Sequence, residues 1–179
     1  QEEALEVSDR IVLINKGRVE QIGSPRQIYE EPATAFAFGF IGSVNEFRGR
    51  VDGNYVRVGD ERLLHNTKNL KDGQEVIAFV RPHDTEIVPN TASDDGVTAS
   101  INRILGNGAV ARVELVANGD ARKGRKDFFE VEIPGADIFH LVTIADEGIV
   151  NKYVLAKVGA SHPLCHVQLL TQIEESDHR

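Results

Sequence analysis

Asn45-Glu46-Phe47-Arg48-Gly49-Arg50-Val51-Asp52-Gly53-Asn54-Tyr55-Val56-Arg57-Val58 alternates polar with apolar residues on both sides of an Asp-Gly-Asn centre. Successive side chains of a strand point to opposite faces, so this alternation reads as two half-buried strands. The centre supplies residues that tolerate positive φ, and together they make a hairpin. Upstream of Asn45 the apolar period is helical, so the change of period marks a domain boundary. Downstream, strand candidates recur at 61–64, 75–80, 84–88, 97–105, 109–117, 127–133, 140–144, 152–157 and 166–171, with Gly, Asn and Asp clusters between them. That spacing indicates antiparallel, mainly β structure. A small closed barrel would remove exposed strand edges. Strands beyond the five that such a barrel consumes would need a partner surface or a second sheet.

The preceding residues read differently. A helix runs through residues 2–8, Asp9-Arg10 ends it, and Ile11-Val12-Leu13-Ile14 is a short apolar run of the buried-strand type. Asn15-Lys16-Gly17 turns the chain, and Arg18-Val19-Glu20-Gln21-Ile22 returns it as a hairpin. Ser24 before Pro25 puts a capping hydroxyl ahead of a proline at the first helical position, which predicts a short helix to about Tyr29. Pro32 stops it, and a second apolar helix runs from Ala33 to about Ile41. Within this segment Leu5, Ile11 and Leu13 are expected to be poorly covered.

At 179 residues the chain is long enough for a core that needs no staples. The single cysteine, Cys165, cannot form an internal disulfide and fits a reducing compartment. The richest apolar run, Ala35 to Gly42, is about half of the ~20 residues a membrane span requires. A net charge of -8, with residues 1–43 and the remainder both acidic, argues against a broad phosphate-backbone footprint.

Gln1-Glu2-Glu3-Ala4, Asp9-Arg10, the Gly17 hairpin, Gln21-Ile22-Gly23-Ser24-Pro25, Ile28-Tyr29, Pro32 and Phe40-Ile41-Gly42 occur in the order and spacing that close the nucleotide-binding domain of ATP-binding-cassette importer ATPases. The chain resembles that family from just after its switch histidine, which would lie before Gln1. Ala78-Phe79-Val80-Arg81-Pro82-His83-Asp84 resembles the Val-Arg-Pro element of the transport-associated OB-type domain that follows the motor. Phe40 to Val51 is similar to the Leu-Gly-x-Val-Asn-x-Phe-x-Gly-Arg-Val junction of sulfate-import ATPases, and His83-Asp84 points the same way. The resemblance implies a mainly β, OB-type barrel or transport-associated domain over residues 44–179, preceded at residues 1–43 by a short α/β remnant of the nucleotide-binding domain.

The function so implied is regulation and dimerisation of the ATP-binding subunit of a sulfate or thiosulfate importer. The alternatives are the same domain in a sugar or other-solute importer, or a stand-alone oxyanion-binding OB-type domain. The parent would be an ATP-hydrolysing sulfate translocase subunit using ATP and magnesium. It would be a homodimer, bound to membrane-spanning subunits at the cytoplasmic face of the membrane.

No catalytic, cofactor or metal residue is assigned in this chain. A phosphate-cradling loop needs Gly-x-x-x-x-Gly-Lys-[Ser/Thr], and nothing fits it. Gly106-Asn107-Gly108 lacks the lysine and joins two strands, so it reads as a turn. The family's Leu-Ser-Gly-Gly-Gln signature is also absent, and the segment by itself is expected not to hydrolyse ATP. Glu2, Glu3 and Glu6 lie on the outer side of a short helix, where solvation is the plain explanation. His162, Cys165 and His166 are too tightly spaced to fill a zinc site locally. Arg122-Lys123-Gly124-Arg125-Lys126 is a concentrated basic run that could attract an anion, but it reads first as a solvated hairpin tip. Few aromatics and no Trp argue against nucleic-acid binding, and of the neighbours Phe128 and Phe129 only one can face a given side. Arg81 and Asp84 are expected to serve structure or docking, since Pro82 ends ladder pairing beside them.

Overall fold

The computed structural model describes residues 2–64, 70–89, 96–106, 108–117, 128–137, 153–155 and 166–169. The chain divides into two compact units; residues 1–44 fall in one and residues 45–169 in the other.

The first unit runs α1 (Glu2–Val7), β1 (Ile11–Asn15), β2 (Arg18–Gly23), α2 (Pro25–Glu30) and α3 (Ala35–Ile41). Lys16 at φ 48° and Gly17 at φ 76° make the β1–β2 turn. Ser24 and Gln27 form a reciprocal capping box at α2, with Pro25 in the first turn, and the Thr34 hydroxyl accepts from Ala37 N–H at 3.1 Å to start α3. The Gln21 carboxamide accepts Ala33 N–H and donates to the Glu31 carbonyl, so one β2 side chain fixes the link between the two helices.

The expected exposure in this unit is corrected. Leu13 is buried and Ile11 half-buried, while Val12, Ile14, Val19 and Ile22 are exposed. Val12 pairs with Ile22 and Ile14 with Val19, so the four occupy one face of the hairpin. The opposite face carries Leu13, buried in a unit whose helices contribute Ile28, Ala37, Phe38 and Ile41 to the interior.

The second unit contains β3 (Asn45–Asp52), β4 (Tyr55–Val58), β5 (Glu61–Leu64), β6 (Glu75–Val80), β7 (Ile87–Pro89), β8 (Val97–Gly106), β9 (Val110–Ala117), β10 (Phe129–Pro134), β11 (Tyr153–Leu155) and β12 (His166–Leu169). These form two antiparallel five-stranded sheets, ordered β12-β6-β3-β4-β5 and β10-β9-β8-β11-β7. The mainly β, antiparallel architecture and the short α/β segment before it agree with expectation. The surplus strands are taken up by the second sheet. The expected strand at 84–88 is shifted: Pro82–Asp84 is a 3₁₀ turn and pairing resumes at Ile87. The candidate at 140–144 lies outside the described residues.

One apolar cluster serves both sheets. Phe47, Val51, Val56, Val58, Leu63, Val76, Ala78 and Val80 come from the first sheet, and Val97, Ala99, Val113, Leu115, Ala117, Phe129 and Val131 from the second. Phe47 and Phe129 stack across it with ring centroids 4.5 Å apart. Gly49 in β3 is fixed by proximity: a Cβ there would fall on the Arg57 carbonyl oxygen and within 2.7 Å of Val56 Cγ1.

Candidate functional site: the polar seam between β3 and β10

The chemistry-bearing residues of the two motif stretches meet in one place. β6 ends at Val80, and Pro82, which has no N–H to offer a ladder, opens the 3₁₀ turn. The Arg81 carbonyl accepts from Asp84 N–H at 3.0 Å and from the Thr85 hydroxyl at 2.9 Å. Arg81 is only 2% exposed, and Asn45, Asp84, Thr85 and Glu130 are also buried. His83 Nε2 lies 3.6 Å from Asp84 Oδ2.

Asn45 connects this turn to the second sheet. Its amide nitrogen donates to the Glu130 carbonyl at 2.7 Å and to Thr85 Oγ1 at 3.3 Å, and its amide oxygen accepts Glu130 N–H at 2.9 Å. The backbone groups of Glu130 therefore point away from β9. By the two-residue period those of Glu132 and Pro134 point the same way, and Pro134 has no N–H. This edge of β10 is thus occupied at one position and blunted at another.

On the outer face of the second sheet, Arg103, Glu114 and Glu130 form a row across β8, β9 and β10. Arg103 binds Glu114 in a fork, Nε to Oε2 at 3.1 Å and Nη2 to Oε1 at 2.8 Å. The hydrogen bonds from Arg103 hold the Glu114 carboxyl below its ordinary range against the opposing effect of burial; Asn102 and Arg112 add to the lowering. The next row is Leu105, Arg112 and Glu132, with Arg112 Nη2 3.1 Å from Glu132 Oε1. With Val110 it lines an open groove of about 500 Å³. Its two charges are paired with each other, so the groove presents no free ionic handle.

The structure brings Asn45, Arg81 and Asp84 together around the Pro82–Asp84 turn. Asn45 lies in the junction motif, but no local pattern signals its contact with Glu130, 85 positions away. Phe129 faces the core, and Phe128, just ahead of β10, is half-buried. Glu3 and Glu6 are exposed on α1, as expected of a solvated face, and the side chain of Glu2 lies outside the described residues. Gly108, at φ 92°, follows Asn107, which lies outside the described residues. The basic run at 122–126, His162 and Cys165 lie outside them too; His166 is in β12, with its side chain undescribed. Among the described residues, no three His, Cys, Asp or Glu side chains group as metal ligands, and no helix is long and apolar enough to cross a membrane.

Residues 45–87 match the family described as the CysA C-terminal regulatory domain. The chain is 45% identical over 134 residues to the sulfate/thiosulfate import ATP-binding protein CysA 1 of Chromobacterium violaceum, covering 75% of this chain and 36% of that protein. It is 40% identical over 163 residues to the CysA protein of Bordetella pertussis, covering 91% of this chain and 45% of that one. With the CysA protein of Bacillus cereus it shares 36% identity over 146 residues, 79% of this chain and 41% of that one. The chain thus spans under half the length of these curated relatives. The cytoplasmic molybdate-binding protein ModG aligns with a TM-score of 0.48 at 15% identity, over 70% of this chain and 95% of that one, a likeness too distant to carry an argument.

Proposed function

We propose, from the premise that residues 45–87 belong to the CysA C-terminal regulatory domain family, that this chain is the regulatory region of the ATP-binding subunit of an importer for sulfate or thiosulfate. Residues 1–43 are then the end of the nucleotide-binding domain and residues 44–179 the regulatory domain. The observation that carries the reading is the convergence at Asn45. Asn45 of the junction motif and Arg81 of the Val-Arg-Pro element meet through Thr85, whose hydroxyl accepts from the Asn45 amide and donates to the Arg81 carbonyl.

Such a region works by contact and by biasing a two-state assembly, which requires no reactive group of its own. ATP and magnesium belong to the longer protein, as do the membrane-spanning partners and the position at the inner membrane face. Homodimerisation rests on the resemblance alone, because the second sheet already covers the strands that would otherwise have demanded a partner. The readings as a sugar-importer domain or a stand-alone oxyanion-binding domain remain the alternatives.

Titration calorimetry of residues 1–179 with ATP and magnesium tests the nucleotide part of this reading: no saturable heat is expected, and micromolar binding would contradict it. Sedimentation of residues 44–179 tests the dimer. A concentration-dependent dimer is expected; a strict monomer at high micromolar concentration, with the full chain dimeric, would move the interface to residues 1–43.

A further inference from the structure

The first sheet carries three arginines in register. Arg50 of β3 lies opposite Arg57 of β4, and Arg57 lies opposite Arg62 of β5. Val51 in β3, Val56 and Val58 in β4 and Leu63 in β5 face the core, so by the two-residue period the three arginines share the outer face. All three are exposed. Glu75 of β6 extends the row opposite Arg50 and holds it in an ion pair; Asp52 holds Arg57 at 2.7 Å, and Arg62 lies over the Tyr55 ring, 4.6 Å from its centroid. Like charges placed directly opposite one another work against sheet formation, and two such pairs stand side by side in a chain of net charge -8. In both ion pairs the arginine side chain is more than half in solvent, at 65% and 62% exposure, so each pair is weak and exchanges readily for a partner's carboxylate.

We infer that this row is a docking surface for an acidic helix of a partner protein. Opposite residues on neighbouring strands stand about 4.5 to 5.5 Å apart, close to the ~5 to 6 Å between helix side chains one turn apart and shorter than the ~7 Å between alternate residues of a strand. A helix lying across β3, β4 and β5 with carboxylates at i, i+4 and i+8 therefore meets Arg50, Arg57 and Arg62 in turn. Side chains of a sheet stand side by side, so the row offers an extended contact rather than a cradle for one small anion. Asp52 and Glu75 decide between a helix and a nucleic acid. A helix can set cations of its own beside its carboxylates to take over the two displaced acids, whereas a phosphate backbone has none and meets the net negative charge of the chain. Arg62, stacked on Tyr55, is already held in place, so it loses less freedom on docking. The row belongs to the sheet itself, and its assignment stands with any of the functional readings above.

Fluorescence anisotropy of labelled peptides with the full chain tests it. The probe is an alanine-based helical peptide of about 20 residues with glutamates at i, i+4 and i+8 flanked by lysines, and the control has the same composition with its glutamates spread around the helix. Saturable binding of the probe is expected, tighter than that of the control and weakened on the order of tenfold by Arg57→Gln or Arg50→Gln. Glu75→Gln, which releases Arg50, should tighten it, and Arg112→Gln, on the second sheet, should leave it unchanged. Because the arginines stand opposite one another, Arg57→Gln should melt no lower than the unmodified chain; a row kept for the fold would lose stability with it. The assignment is overturned by no saturable binding, by binding indifferent to both arginine variants, by equal binding of the control, by a lower melting temperature for Arg57→Gln, or by tighter binding of oligothymidylate or inorganic polyphosphate than of the probe.

Discussion

Asn45 and Glu130, 85 residues apart, are joined as two strands would be: the carboxamide donates to the Glu130 carbonyl at 2.7 Å and accepts its N–H at 2.9 Å. Removing that side chain strands two buried backbone groups at once. Asn45→Ala is expected to lower unfolding free energy by about 2 to 3 kcal/mol, measured by urea denaturation. Asn45→Asp should be at least as harmful at neutral pH, because a carboxylate can still accept from Glu130 N–H but sets its negative charge against the Glu130 carbonyl. A loss below ~0.5 kcal/mol for both would show the pair to be incidental.

Gly49 and Gly53 separate two reasons for glycine. A Cβ at Gly49 would fall on the Arg57 carbonyl in the sheet, whereas Gly53 has open space around it but sits at φ +60°. Gly49→Ala should cost about 3 kcal/mol through forced strand displacement. Gly53→Ala should cost only about 1 kcal/mol, the penalty of left-handed backbone. Thermal melts of the two variants check the ranking, and a larger loss at Gly53 would reverse the argument.

Acid should weaken the outer-face row. The Glu114 carboxyl is held below its ordinary value of 4.5, chiefly by the hydrogen bonds from Arg103. A carboxyl whose folded pKa is depressed adds stability that is fully present above the unfolded pKa and lost as pH falls through the folded one. Arg103→Ala should therefore destabilise the chain at pH 7 and make little difference at pH well below 4.5, as measured by melts across that range. An equal loss at both ends would mean that Arg103 acts through packing alone.

The hairpin of the first unit presents Val12, Ile14, Val19 and Ile22 on one exposed face. Val12→Thr with Ile14→Thr should raise the solubility limit of the chain without changing the melting of the β unit. Trimming to residue 44 should have the same effect. Unchanged solubility in both would exclude this face as the source of non-specific association.

The sequence was most legible where one local signal dominates. Ser24 before Pro25, the apolar run Val76–Val80 and the stop at Pro82 each set an element boundary that the structure repeats. It misled where both faces of a strand are apolar. Ile11-Val12-Leu13-Ile14 carries no contrast to say which face is covered, and only the tertiary structure buries Leu13 and leaves Val12 and Ile14 in solvent. The seam was illegible for a different reason: its bonds run from a side chain to a distant backbone, and neither period nor composition encodes such a pairing. Asn45 lies in the junction motif, but Glu130 lies in no motif, and their meeting follows only from the fold.

Sulfate uptake by a chimeric subunit distinguishes the sulfate-importer reading from its alternatives. The ATP-binding portion of the Chromobacterium violaceum relative, joined to this chain in place of its own C-terminal region, should restore uptake in cells lacking that subunit. Transport of sulfate or thiosulfate should exceed the level given by the truncated relative alone. A well-expressed chimera that transports no better than the truncated protein, or that supports sugar uptake instead, would contradict it.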